Sequence, residues 1–286
     1  MNSDIFNIKR FGSYLGSEIR NAISKFGYSG LACALGSLIV YVMSAFFSLV
    51  IARHGWYSAD ITSRMFCFIL IMVAVLIQAP KKIYGGITDK KEGSIFLTVP
   101  VSTLEKTLSM IIVSCIIVPG VCMAAYISVD SLLCLFDKNC GASVISSMFH
   151  GLGNAIATIA DFPEELSGIK ELLNPLVYID DMIQVGMIFL LGSIFFKTSK
   201  ISKTILSLIA FGFVSSMIMT PIVLHGIGPL DLNITNDAEA LELINEKMGF
   251  IGFTLKHGVL VDTISDTITC LLLATGIYFR VKTLKF

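Results

Sequence analysis

Five carboxylates in this chain stand where charge is costly. Asp130, Asp180, Asp181, Asp262 and Asp266 all fall near the margins of long apolar runs. An ionisable group at such a depth marks a substrate path, a proton relay or a helix end. Asp262 and Asp266 are four residues apart and so share one helix face, which suits an acidic outer vestibule touching a substrate. The competing account is structural: four of the five open helices, where the macrodipole favours acids. Nothing else of catalytic type gathers around them. His54, His150, His225 and His257 lie in outer links or at span ends. HExxH, GxSxG and Gly-rich phosphate loops do not occur, and without a Gly-Lys dipeptide there is no Walker A loop. The seven cysteines form no CxxC pair and no cluster of metal-ligand spacing. Five of them (Cys33, Cys67, Cys115, Cys122 and Cys270) fall within spans, while Cys134 and Cys140 could meet outside the membrane. Neither a catalytic residue set nor a metal site is expected.

The elements that would position these acids are membrane helices. The chain of 286 residues is 55% hydrophobic and 15% charged, with a mean hydropathy of +0.81. A soluble domain carries about 25% charged residues. Each crossing needs roughly 20 apolar residues, and six runs qualify, at 31–52, 61–79, 108–136, 176–196, 204–225 and 259–279. The second is the weakest by length, and Pro119-Gly120 is expected to kink the third. The reading is an all-α integral membrane protein with six transmembrane helices, one domain over 1–286. Residues 1–28 form its amphipathic N-terminal helix and 31–286 its membrane part.

Charge sets the orientation. With the N-terminus inside, only Arg53, Arg64, Lys138, Lys170, Lys247 and Lys256 fall outside, and the remaining 15 of 21 basic residues face the cytoplasm. Both termini are therefore expected to be cytoplasmic, in the plasma (inner) membrane. No cleavable signal peptide is expected, because no apolar stretch of that kind follows the first basic residues.

Ahead of the first span, Ile8, Phe11, Leu15, Ile19, Ala22, Ile23 and Phe26 recur at steps of three and four, with a basic face opposite. That pattern suits a helix lying in the headgroup layer, or one packed on protein. Short outer interfacial helices are expected at "DFPEELSGIKELLNP" and "NDAEALELINEKMGF".

The stretch "DKKEGSIFLTVPVSTLEKTLSMII" follows the second span. Ser102 and Glu105 have capping-box spacing, so a helix should start at about Thr103. Pro100 turns Val99 away from the helical region, so what precedes is a separate short element. It is charged at Asp89, Lys90, Lys91 and Glu92, and apolar at Ile95, Phe96 and Leu97. A short helix parallel to the membrane fits.

This stretch resembles the segment after the second span of ABC type-2 transporter permeases. There a charged pair and Gly precede a Leu-rich turn, a Pro-Val/Leu-Ser step and a Glu. Glu92-Gly93, Leu97, Pro100-Val101-Ser102 and Glu105 match, whereas Ser109-Met110 stands where the family has Gly-Lys. The matching residues span about 25 positions. The resemblance implies a cytoplasmic coupling helix gripped by a separate ATPase subunit, with Asp89, Lys90, Lys91, Glu92, Gly93, Phe96 and Leu97 at the contact. Pro100, Ser102 and Glu105 would cap the helix that follows. It further implies a second permease copy or paralogue, surrounding lipid, ATP and Mg bound by the ATPase chain alone, no nucleic acid, and an amphipathic substrate. The alternative is a stand-alone membrane protein, an immunity or assembly factor, with no ATPase partner.

Overall fold

The computed structural model describes residues 6–51, 61–137, 140–160, 178–227 and 258–284. Among them every regular element is a helix. The expected outer helices at 161–175 and 236–250 lie outside the described residues.

Helix α1 (Ile8–Ala34) starts at Asn7, whose side-chain oxygen accepts from the backbone N–H of Lys9 at 3.0 Å and Arg10 at 3.4 Å. It runs on past residue 28, because no proline or unfavourable φ stops it before Leu35. Helix α2 (Gly36–Phe46) and a π-helical turn (Phe47–Ile51) follow, making one helical run of 44 residues. The middle of the apolar stripe of α1 is spent on protein: Ala22 and Phe26 are buried, as is Tyr14 beside them, and Leu15 and Ile19 pack against the core. Ile8 and Ile23, of the same stripe, stay exposed, as does Tyr28 on the other side.

Helix α3 (Ile61–Tyr84) contains Pro80 and ends on Lys81 and Lys82. A 3-10 turn (Gly85–Thr88) leads to the nine-residue α4 (Lys90–Thr98). Helix α5 (Thr103–Ile111), a π-helical turn (Ile112–Ile117) and α6 (Val118–Phe136) form one run of 34 residues. The π turn sits just before Pro119, where a missing N–H and a bulky ring disturb the ordinary ladder. Helix α7 (Val144–Ala160) was not expected; it occupies the first part of what read as an outer link. Helices α8 (Tyr178–Phe195), α9 (Lys200–Ile227) and α10 (Gly258–Lys282) complete the described chain.

Five of these runs are long and apolar enough to cross a membrane: Ile8–Ile51, Ile61–Thr88, Thr103–Phe136, Lys200–Ile218 and Thr263–Lys282. Helix α8 contributes a shorter apolar stretch, Asp181–Phe195. It is nevertheless central, packed between α3, α9 and α10, with Met187, Leu190 and Ile194 in the core. The close α8–α9 approach depends on Gly192, where an added Cβ would collide with the Thr204 side chain. Small residues serve this role between membrane helices, since hydrocarbon gives apolar surfaces little reason to associate and contact must come from close packing. Helix α9 presents Leu206, Ile209, Phe211, Phe213 and Met217 outward. So continuous an apolar exterior is fit for lipid or another apolar surface, not for water.

Candidate functional site

The segment between α3 and α5 is built by two backbone rules. Val99 is extended (φ −66°, ψ 122°) ahead of Pro100, which ends α4. Ser102 then caps α5: its hydroxyl accepts from the Glu105 N–H at 3.2 Å, and Glu105 Oε2 accepts from the Ser102 N–H at 3.1 Å. Both halves of the expected capping box are formed.

Four basic side chains, scattered along the chain, clamp this segment to the rest of the molecule. Lys106 Nζ donates to the Phe96 carbonyl at 2.8 Å and lies 5.0 Å from the centre of the Phe96 ring. It thereby satisfies a free carbonyl in the last turn of α4 and places a cation at the negative end of that helix. Lys25 on α1 reaches Glu92 Oε2 at 2.9 Å and the Ile83 carbonyl at 3.2 Å. The Glu92 carboxylate rests on Gly86, where a Cβ would collide with it. Lys200, opening α9, donates to the Gly85 carbonyl and to Thr88 Oγ1, the latter at 2.7 Å. Arg10 completes the set. Its Nε donates to Glu105 Oε2 at 2.8 Å and its Nη2 to Oε1 at 2.9 Å, and the Asn7 N–H adds a bond of 2.7 Å. Glu105 is fully buried and holds the start of α1 to the start of α5.

The site residues therefore divide between two sides. Gly93 and Phe96 are buried against their own molecule, so Phe96 is not an anchor offered to a partner. The reason is helical spacing: three residues apart, Gly93 and Phe96 share the face turned inward. Asp89, Lys90, Lys91 and Glu92 are exposed, as are Leu97 and Pro100. Ile95, at 60% exposure, is the most open apolar residue of α4, and it was not among the expected contacts. Sequence reasoning also missed Arg10, Lys25, Lys106 and Lys200. Lys25 to Glu92 and Lys200 to Gly85 span 67 and 115 residues, and no local pattern signals such pairings.

At the opposite end of the helices, Asp130 does not face a vestibule. It is fully buried and paired with Arg64, Nη1 to Oδ1 at 2.8 Å, and its Oδ2 accepts from the Val144 N–H at 2.7 Å. Arg64, counted among the outer basic residues at the start of the second run, lies in the first turn of α3 and is equally buried. Its Nη2 donates to the carbonyls of Cys140 and Ala142, both at 2.8 Å. Two buried charges are tolerable because nearly every polar atom between them is satisfied. Asp262 and Asp266 lie in the first turns of α10. The Asp262 side chain is outside the described residues, and Asp266 is half-buried. No cluster that could hold a metal ion occurs among the described residues.

No family model, curated protein or solved structure matches this chain. Its function must be argued from the geometry.

Proposed function

We propose that this chain is the permease subunit of an ATP-binding-cassette exporter, driven by a separate ATPase subunit and paired with a second copy or a sister permease. The observation that carries the reading is α4. It is a short, separate helix at the basic end of the bundle, tied inward through Glu92 and Phe96. Its outer face is bare: Lys90, Lys91, Ile95 and Leu97. A surface loop has no need of so many ties. A handle that must transmit force does.

In this reading α8 is a sixth span, both termini are cytoplasmic, and α4 seats in a groove of the ATPase. That subunit binds ATP and Mg, and its closure moves α4. Lys106 carries the displacement into α5, Lys25 into α1 and Lys200 into α9, so three spans respond together. The substrate, an amphipathic lipid, peptide or antibiotic, would pass along the interface between two permeases, with Asp262 and Asp266 near its outer exit.

The test is purification of the full chain from membranes and identification of what co-elutes. An ATPase subunit is expected with the wild type and is expected to be lost from Lys90→Glu/Lys91→Glu, with membrane yield unchanged. Absence of any ATPase from the wild-type preparation would favour the stand-alone alternative. Retention by the double variant at wild-type stoichiometry would remove α4 as the contact.

A further inference from the structure

We propose that Cys134 and Cys140 form a dithiol site on the outer face, oxidised to an intramolecular disulfide by a disulfide-bearing oxidant of that compartment. The two sulfurs stand 3.0 Å apart, within about 1 Å of a bond length. The last turn of α6 carries Cys134. Cys140 is brought back to it by a tight return, in which its N–H donates to the Asp137 carbonyl at 3.0 Å. Gly141 continues that return at φ +70°, a conformation an L side chain resists.

The two thiols are not equivalent. Cys134 is half-buried, with Arg64 Nη1 3.1 Å from its sulfur, and is the more open of the two to a reagent. Cys140 is 3% exposed and closed to a bulky reagent. Cys134 is therefore the attacking sulfur and Cys140 the resolving one. The Cys134 thiol loses its proton to water and its thiolate attacks one sulfur of the oxidant. The oxidant's S–S bond breaks, and its other half leaves as a thiolate that takes up a proton. Cys140, deprotonated in turn, attacks the Cys134 sulfur of the mixed disulfide and expels the second half. The cysteines lose two electrons and two protons, which reduce the oxidant to two thiols. The new bond ties the end of α6 to residues 140–142, whose two carbonyls hold Arg64. The inference rests on the proposed orientation but not on an ATPase partner.

The experiment uses the full chain in intact cells. After incubation with oxidised glutathione, which does not cross the membrane, free thiols are blocked with a first maleimide in denaturant. Reduction and a second maleimide of different mass then mark the oxidised positions for peptide mass spectrometry. The second label is expected on Cys134 and Cys140, and the first on Cys33, Cys67, Cys115, Cys122 and Cys270. The first label on both Cys134 and Cys140 would overturn the proposal. Oxidation only after permeabilisation would overturn it too, through the orientation. In Cys140→Ser, Cys134 should be trapped as a glutathione mixed disulfide, whereas Cys140 in Cys134→Ser should not. Capture of Cys140 alone would overturn the assigned order of attack.

Discussion

Two fully buried carboxylates, Asp130 and Glu105, carry charge for opposite ends of the bundle, and each has its own arginine. Arg64 cannot follow Asp130 out of the core if the acid is removed. Asp130→Ala should therefore lower stability by about 3–5 kcal/mol, the usual penalty for a stranded buried charge. The double variant Arg64→Met/Asp130→Leu should recover much of that loss. Thermal unfolding in detergent, run as a double-mutant cycle, checks both statements; additive losses would show that the pair is not coupled. Glu105 differs because Arg10 is partly open to solvent, with 38% of its side chain exposed. Ser102→Ala removes only the hydroxyl half of the box and should cost about 1 kcal/mol. Glu105→Ala should cost more, because it also strands the Asn7 and Ser102 N–H groups. The readout that separates them is proteolysis near residue 7, which should rise for Glu105→Ala and change little for Ser102→Ala.

A short helix such as α4 is marginal alone and persists through what it is packed on. Its two faces should respond differently to substitution. Phe96→Ala removes a buried aromatic ring and should destabilise the chain by about 3–5 kcal/mol, lowering membrane yield. Ile95→Asp and Leu97→Asp change exposed positions and should leave yield intact; if the proposed function holds, they should reduce the amount of co-purifying ATPase. Equal effects on yield at all three positions would mean that α4 is only a structural loop. The loss caused by Lys90→Glu/Lys91→Glu should shrink as ionic strength rises, since rim charges are screened over about 8–10 Å. Helix α1 sorts its residues in the same manner. Leu15 packs against the core and Ser13 is exposed. Leu15→Asp should therefore depress the yield of inserted protein and Ser13→Asp should not, because an unpaired carboxylate buried in an apolar contact costs kcal/mol. Equal yields would mean that the stripe makes no contact that matters.

For the assembled bundle the decisive quantity is which end faces the cytoplasm. The basic residues Lys81, Lys82, Lys90, Lys91, Lys106 and Lys200 gather around one end, while the Arg64–Asp130 pair closes the other. Positively charged links stay inside, so the α8–α9 turn at Lys197 should be cytoplasmic. Lys197 is exposed and suits a reporter, whereas Lys200 is engaged with Gly85 and Thr88 and would be a poor choice. Lys197→Cys should resist an impermeant maleimide added to intact cells and react after permeabilisation. Modification in intact cells would invert the bundle and place α4 outside, where no ATPase could reach it.

Local rules were enough to read the helical class, the long apolar runs, the break at Pro100 and the capping box at Ser102 and Glu105. Each of these depends on neighbours within about four residues, through periodicity, a fixed φ or a side chain meeting its own backbone. Which way Phe96 points, what Lys25, Lys106 and Lys200 hold, and that Arg64 and Asp130 neutralise each other came only from the tertiary structure. Arg64 read as an outer residue because a charge beside an apolar run is ordinarily solvated. Its partner lies 66 residues away, and only the packing of α3 against α6 brings the two together. Periodicity describes one helix at a time. A pair of opposite charges in a low-dielectric interior gains its stability from a neighbour that no local window contains.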